Sequence, residues 1–380
     1  MQAPGSTVEI EKLNCDEMVE YLEQLLSDGK ASVIMMTASR AAAFGIEELL
    51  EQWTTAPFVM WYGRIEPNPT VASVAEALAA VMDFAPERIV VFGGGSAIDT
   101  AKAVSALLPL TAGSAEDPTA DFVREAVAEK KYLNHKPACQ IIAVPTTAGS
   151  GSDVTHWATV WDPDNSRKLS VDMPELAPAV SLIVPELHIG MSPALTLSTG
   201  LDALCHAAEA FWAKSRGLAS QMYANAAVSG IMTNLASVLK NPADLDGRTL
   251  MADAALYAGL AFSTTRTTAC HSISYPLTMR YRIPHGLACA MTLAPVAKRN
   301  APAVEKVDLL FEPFGGVDAL QERLDTLCDG VVKPLRLSAW GVPEADLPAL
   351  AAAAFTKGRM DNNPVAFTEA DVLEILREVY

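Results

Sequence analysis

The chain has 380 residues, half of them hydrophobic and 19% charged, which supports a sizeable buried core and two or three domains. With 28 Lys and Arg against 45 Asp and Glu the net charge is -17, which argues against nucleic acid or an anionic membrane as a general partner but leaves room for a local basic pocket. No apolar run approaches the roughly 18 residues of a membrane span, and the opening MQAPGSTVEIEKLNCDEMVEYLEQLL lacks a basic stretch followed by an apolar one. Six dispersed cysteines without a CxxC pair read as reduced, mostly packed thiols of a cytoplasmic protein.

In chain order, short apolar runs of the buried-strand type occur at 32–37, 58–62, 88–92, 140–144 and 181–184, with a helical period over 71–82. Strands alternating with helices imply βαβ units and a mostly parallel sheet. Residues 111–120 are small and polar, the mark of an exposed loop. Near Pro185 the character changes. The stretches 193–214, 219–239 and 248–263 are long, Ala-rich and periodic, and Thr368 with Asp371 forms an N-cap before a last helix reaching Tyr380. The predicted organisation is an α/β domain over residues 1–187 and an all-helical domain over residues 188–380.

Two loops at strand ends suggest a nucleotide cleft. FGGGSAIDTAK (92–102) follows a strand and opens a helix, so its backbone can approach a phosphate and offer free N–H groups to it. It is neither a Walker loop nor a GxGxxG turn, and alone it also suits a structural glycine turn. PTTAGSGSDVT (145–155) offers hydroxyls and glycine backbone at the same predicted sheet edge.

Within GLDALCHAAEA, Asp202 and His206 are four apart and share a helical face. A carboxylate and an imidazole there make half a divalent-metal site, or simply an internal hydrogen bond. His271 and His285 are the other candidates. Pro276 and Pro284 are expected to interrupt any single helix there, so that His271 ends one helix and His285 starts the next. His135, His156 and His188 lack such context and read as structural or exposed.

Together these segments resemble the iron-containing (group III) alcohol dehydrogenase family. The resemblance includes Pro67-Asn68-Pro69-Thr70, GGGSAIDTAK, PTTAGSGSDVT, GLDALCHAAEA, AGLAF (258–262), the His271 and His285 pair and the ending from Asn362 to Asp371. It implies a Rossmann-like dinucleotide-binding α/β domain followed by a helical metal-binding domain, the dehydroquinate synthase-like arrangement. It implies one catalytic Fe(II), with Zn(II) accepted by the same ligands, held by Asp202, His206, His271 and His285. It implies coenzyme contacts from Pro67, Gly94, Gly95, Ser96, Asp99, Thr146, Thr147, Ser150 and Lys168, and a homodimer.

Three departures from the family pattern sharpen the expectation. Many members carry an acid after the strand that here ends Met36-Thr37-Ala38-Ser39-Arg40, where it binds the ribose hydroxyls of NAD. Its loss, with Ser39 and Arg40 following, favours the 2′-phosphate of NADPH, NADH remaining usable. Many members have a further histidine four residues after the third ligand, where this chain has Tyr275, so the family's proton relay does not carry over intact. Small and apolar residues before the third ligand are replaced by Thr264-Thr265-Arg266-Thr267-Thr268, suited to a phosphonate, phosphate or carboxylate. RTTACHSISYPLT resembles members that reduce phosphonoacetaldehyde in phosphonate antibiotic biosynthesis.

The expected activity is therefore reduction of a small anionic aldehyde, phosphonoacetaldehyde to 2-hydroxyethylphosphonate first, with His271, Tyr275 and Arg266 at the chemistry. Lys357, Arg359 and Arg280 are weaker candidates for holding the anion. The alternatives are an NAD-dependent dehydrogenase of neutral alcohols or diols, a lyase using NAD transiently, and a non-catalytic metal- or nucleotide-binding regulator.

Overall fold

The computed structural model describes residues 7–165 and 167–380. Residues 1–6, which open the segment read as carrying no leader, and Ser166 lie outside the described residues. Contacts divide the chain into two compact units, Met1–Thr147 with Ser152–Gly190 and Ala148–Gly151 with Met191–Tyr380. The first unit thus runs three residues past the expected boundary, and the tetrapeptide 148–151 groups with the second. That tetrapeptide is glycine-rich because the second unit's helices press on it. A Cβ on Gly149 would stand 2.7 Å from the Thr199 carbonyl oxygen, and one on Gly151 2.7 Å from Gly259 Cα.

The first unit is built on a sheet of β1 (Glu9–Lys12), β2 (Ser32–Met35), β3 (Val59–Tyr62), β4 (Arg88–Gly93) and β5 (Gln140–Pro145), with β6 (Trp157–Asp162) and β7 (Arg167–Asp172) forming a separate antiparallel hairpin and β8 (Val180–Ile183) rejoining the sheet. The order is β1-β8-β5-β4-β2-β3, and every pair is parallel. Strands in such a sheet are covered on both faces, so their residues are apolar without alternation. Val33, Met35, Ile89 and Val91 join one buried cluster, while Ile34, Met36, Val90 and Phe92 join the other. The predicted loop is confirmed in part: residues 112–117 are exposed.

The topology also locates a crevice. From β2 the chain goes outward to β3, then returns past β2 to β4 and continues to β5. Strand order therefore reverses between β2 and β4, and open parallel sheets bind ligands outside the carboxyl ends of strands at such a reversal.

In the second unit the Pro193–Trp212 helix starts with Ser192, whose hydroxyl accepts from Leu195 N–H, and Pro193. From Gly200 to Trp212 every residue is buried, which makes it a central helix. The Leu218–Lys240, Leu245–Thr265, Ala269–Tyr281 and His285–Met291 helices follow. The last helix is Glu369–Glu378, with Thr368 and Asp371 in the expected capping box.

One helix boundary differs from the sequence expectation. Pro276 does not break its helix, and His271 does not end one. Arg266, at φ 64°, ends the preceding helix, and the next runs through Pro276 from Ala269 to Tyr281 with His271 in its first turn. A proline there removes a single backbone bond to Ser272, and its neighbours from Cys270 to Thr278 are all buried, so packing carries the helix past it. Pro284 does precede the His285–Met291 helix.

Candidate active site

In the first unit β4 ends at Gly93, Gly94 is the N-cap and the Gly95–Leu107 helix begins. Side chains are excluded here: a Cβ on Gly93 would lie 2.4 Å from Ala97 Cβ, and one on Gly94 2.9 Å from Thr147 Oγ1. Thr146 N–H donates to Gly93 O at 3.0 Å, tying the second loop to the first, while its buried hydroxyl has no hydrogen-bond partner. Asn68, at φ 56°, donates its N–H to Ser96 Oγ at 3.0 Å, which brings the Pro67–Pro69 turn to the start of the same helix. Ser39 and Arg40 occupy the first turn of the Ala38–Phe44 helix, directly after β2, with Ser39 Oγ 3.2 Å from Thr37 Oγ1. Gly94, Gly95, Ser96, Thr146 and Thr147 are thus gathered at the carboxyl ends of β4 and β5. Lys168 stands on the hairpin opposite Trp161, and Ser150 belongs to the second unit.

Asp99 is turned inward instead of toward that crevice. Its oxygens accept from Ser152 Oγ at 2.5 Å and Thr159 N–H at 2.9 Å, and burial pushes its carboxyl up. One turn on, buried Lys102 donates Nζ to the carbonyls of Ser152 at 2.5 Å, Thr155 at 2.8 Å and Trp157 at 3.1 Å, and burial pushes its ammonium down to about 8. These two residues of GGGSAIDTAK clamp the segment 152–159 to the helix that carries the glycine turn.

In the second unit Asp202, His206 and Glu209 stand at i, i+4 and i+7 of the Pro193–Trp212 helix, on one face. Gly286 lets the His285–Met291 helix approach it, since a Cβ there would meet Ser198 O at 1.9 Å. Asp202 Oδ1 lies 3.6 Å from His271 Nε2 and 3.9 Å from His285 Nε2. These gaps exceed hydrogen-bond range. Asp202 Oδ1, His206 Nδ1 and His271 Nε2 are all buried without a hydrogen-bond partner. Among the described residues, ligand atoms of Asp202, His271, His285 and Cys289 all lie within 4.8 Å of one another. Four donors bound at about 2.0–2.3 Å to one tetrahedral ion would be spaced roughly 3.3–3.8 Å apart, so a small contraction around a cation closes the set. Carboxylate, imidazole and partnerless buried atoms facing one point fit a divalent metal such as Fe(II) or Zn(II).

His206 adjoins this set. Its ring stacks on Phe262 (centroids 4.0 Å, 7°) and on His271 (4.4 Å, 27°), and Nδ1 is 4.0 Å from Asp202 Oδ2. Burial pushes its imidazole down to about 3, leaving it neutral. Burial alone would raise the Asp202 carboxyl, but the surrounding histidines hold it well below the usual range.

Behind His271 sits Glu209, fully buried. One oxygen accepts from Thr268 Oγ1 at 2.8 Å and Cys270 N–H at 2.7 Å, and the other accepts a short hydrogen bond from His271 Nδ1. A carboxylate on Nδ1 fixes the tautomer that presents a lone pair at Nε2. Tyr275, one turn beyond His271, lies parallel to the His285 ring (5.9 Å, 8°) and braces it. Arg266 combines φ 64° with ψ 179°, a region that side chains avoid, at a cost of about 1–3 kcal/mol. It lines a hollow of about 410 Å³ with Thr264, Thr265, Asp361 and Asn362, which none of the four convergent donors lines. Lys357 lines a different hollow, Arg359 donates to Gly358 O at 3.0 Å, and Arg280 is exposed. Within the first unit, His188 Nε2 lies 3.0 Å from Pro145 O and His156 Nε2 3.3 Å from Asp172.

Sequence reasoning overlooked Glu209 and Cys289. Helical spacing was the available signal: seven residues after Asp202 for the first, four after His285 for the second.

The comparisons with known proteins agree with this geometry. Residues 11–185 match the iron-containing alcohol dehydrogenase family, and residues 196–380 match the C-terminal part of the Fe-containing alcohol dehydrogenase family. The chain is 35% identical over 315 residues to a phosphonoacetaldehyde reductase of Streptomyces viridochromogenes, covering 78% of this chain and 76% of the relative. It is 30% identical over 370 residues to a 1,3-propanediol dehydrogenase of Klebsiella pneumoniae, covering 94% and 93%. The crystal structure of a sulfoacetaldehyde reductase from Bifidobacterium kashiwanohense in complex with NAD+ is similar at a TM-score of 0.83 and 26% identity, covering 100% of this chain and 98% of that one. The chain belongs to the iron-containing alcohol dehydrogenase family and is an oxidoreductase of that type.

Proposed function

We propose that this enzyme reduces a small anionic aldehyde, phosphonoacetaldehyde before others, to the alcohol at a divalent metal centre with NADPH as coenzyme. The observation that carries the metal-dependent reading is the set of three buried atoms without a hydrogen-bond partner, Asp202 Oδ1, His206 Nδ1 and His271 Nε2, brought together in one cluster. In this reading Asp202, His206, His271 and His285 hold the ion. When bound, the divalent ion supplies Lewis acidity toward the carbonyl oxygen and the reduced nicotinamide supplies hydride. Glu209 keeps His271 aimed, Tyr275 holds the His285 ring in place, and Gly94, Gly95 and Ser96 receive the pyrophosphate at a helix start.

Two named relatives support the substrate class. Phosphonoacetaldehyde and sulfoacetaldehyde are both two-carbon aldehydes ending in an anionic tetrahedral group. The strained backbone of Arg266 supports a functional constraint on that guanidinium. Loss of a charge-assisted hydrogen bond of about 1.5–3 kcal/mol predicts that Arg266→Ala raises KM for phosphonoacetaldehyde roughly 10- to 100-fold. KM for a neutral aldehyde of similar size should barely move. Steady-state kinetics on both aldehydes decide this, and equal effects would make Arg266 structural.

For the coenzyme, Arg40 after β2 and the missing carboxylate support NADPH. The expected result is a higher kcat/KM with NADPH than with NADH, a preference that Arg40→Ala erodes. Parity in the unsubstituted enzyme would remove the proposal. The 1,3-propanediol dehydrogenase relative favours a second reading, NAD-dependent oxidation of a neutral diol. The same kinetic comparison, extended to diols with NAD+, separates the two.

A further inference from the structure

We infer that Trp61 stacks on the adenine ring of the coenzyme and forms the outer wall of its adenosine subsite. This deepens the coenzyme part of the reading above and rests on it. Trp61 is the third residue of β3, the outermost strand beside β2. Two contacts fix its side chain. The indole N–H donates to Met36 O, the carbonyl directly after β2, at 2.6 Å. The indole also covers Gly63, just past the end of β3, where a Cβ would stand 2.9 Å from Trp61 Cζ2. The ring is therefore folded forward over the carboxyl ends of β2 and β3, with 42% of the residue still exposed. Thr37, Ser39 and Arg40 follow Met36 directly.

The reversal of strand order between β2 and β4 sets the crevice outside these same carboxyl ends. A dinucleotide whose pyrophosphate lies on the glycine turn after β4 carries its ribose toward the end of β2. The adenine then reaches the end of β3. That is two strand spacings from β4, about 10 Å, which is the scale of an adenosine unit. A rigid aromatic side chain loses little freedom when a base stacks on it. Every base has a π face, so the contact is blind to the 2′-phosphate. Trp61 thus sets affinity for the adenosine half of NADPH and NADH alike, whereas Arg40 distinguishes the two.

Adenosine 5′-diphosphate, the part common to both coenzymes, is the probe. The full chain is titrated with it, and separately with NADPH and NADH, by calorimetry. Trp61→Ala is expected to weaken all three by a similar factor, roughly 5- to 100-fold, and to leave the ratio of NADPH to NADH affinity unchanged. Trp61→Phe keeps a stacking ring but loses the bond to Met36 O, and should retain most of the affinity. Both variants are expected to fold, because the side chain lies on an exposed edge of the sheet. Unchanged affinity for adenosine 5′-diphosphate in Trp61→Ala would overturn the stack. So would equal losses in the two variants, which would assign Trp61 to bracing the end of β2. Either result leaves the coenzyme reading standing. Failure of the unsubstituted chain to bind both adenosine 5′-diphosphate and NADPH would overturn the two readings together.

Discussion

His271→Ala is expected to lose bound metal and turnover while retaining coenzyme binding. The substitution removes Nε2, one of three buried atoms at the centre without a hydrogen-bond partner, the others being Asp202 Oδ1 and His206 Nδ1. Lewis-acid stabilisation of the developing alkoxide is worth several kcal/mol, so kcat should fall by roughly a thousandfold or more. Coenzyme binding is expected to survive because the Gly93–Ser96 turn, the Thr146–Thr147 segment and the Pro67–Pro69 turn are braced within the first unit by Asp99, Lys102 and Asn68. Metal analysis, single-turnover kinetics and coenzyme fluorescence check the three parts. A variant with full metal content and full turnover would sink the metal mechanism.

What the sequence made legible follows from how each feature is encoded. β2, β4 and β5 are covered on both faces, so they appear as unbroken apolar runs. β1 is four residues reading Glu-Ile-Glu-Lys, and the hairpin strands Trp157–Asp162 and Arg167–Asp172 mix apolar, polar and charged residues, so none of them stands out. The candidate metal histidines were legible as residue types, but their convergence depends on three helices packing together. Glu209 and Cys289 were passed over because each meets His271 or His285 only after that packing. Pro276 misled because local chemistry forecasts a break that burial of the surrounding turn overrides. The backbone strain at Arg266 leaves no trace in a side-chain string at all.

Those same contacts give Glu209 a testable role as a positioning residue. Glu209→Gln is expected to weaken metal affinity by roughly 10- to 100-fold, the usual cost of losing a partner behind a metal-binding histidine. The amide oxygen can still accept from Thr268 Oγ1 and Cys270 N–H, the two donors now shared by one carboxylate oxygen. Its NH₂ group then faces His271 Nδ1. A donor there makes Nδ1 an acceptor and moves the ring proton to Nε2, the atom aimed at the metal. The protein should fold, because the packing volume is conserved and two of three hydrogen bonds remain. Excess metal should restore much of the turnover, which a purely structural lesion would not allow. Glu209→Ala is expected to behave differently. It leaves Thr268, Cys270 N–H and His271 without their buried acceptor, at about 1–3 kcal/mol for each unsatisfied group, so thermal stability falls along with metal affinity. Metal titration beside thermal unfolding of both variants separates orientation from packing. An unchanged metal dissociation constant in Glu209→Gln would deny Glu209 any part in aiming His271.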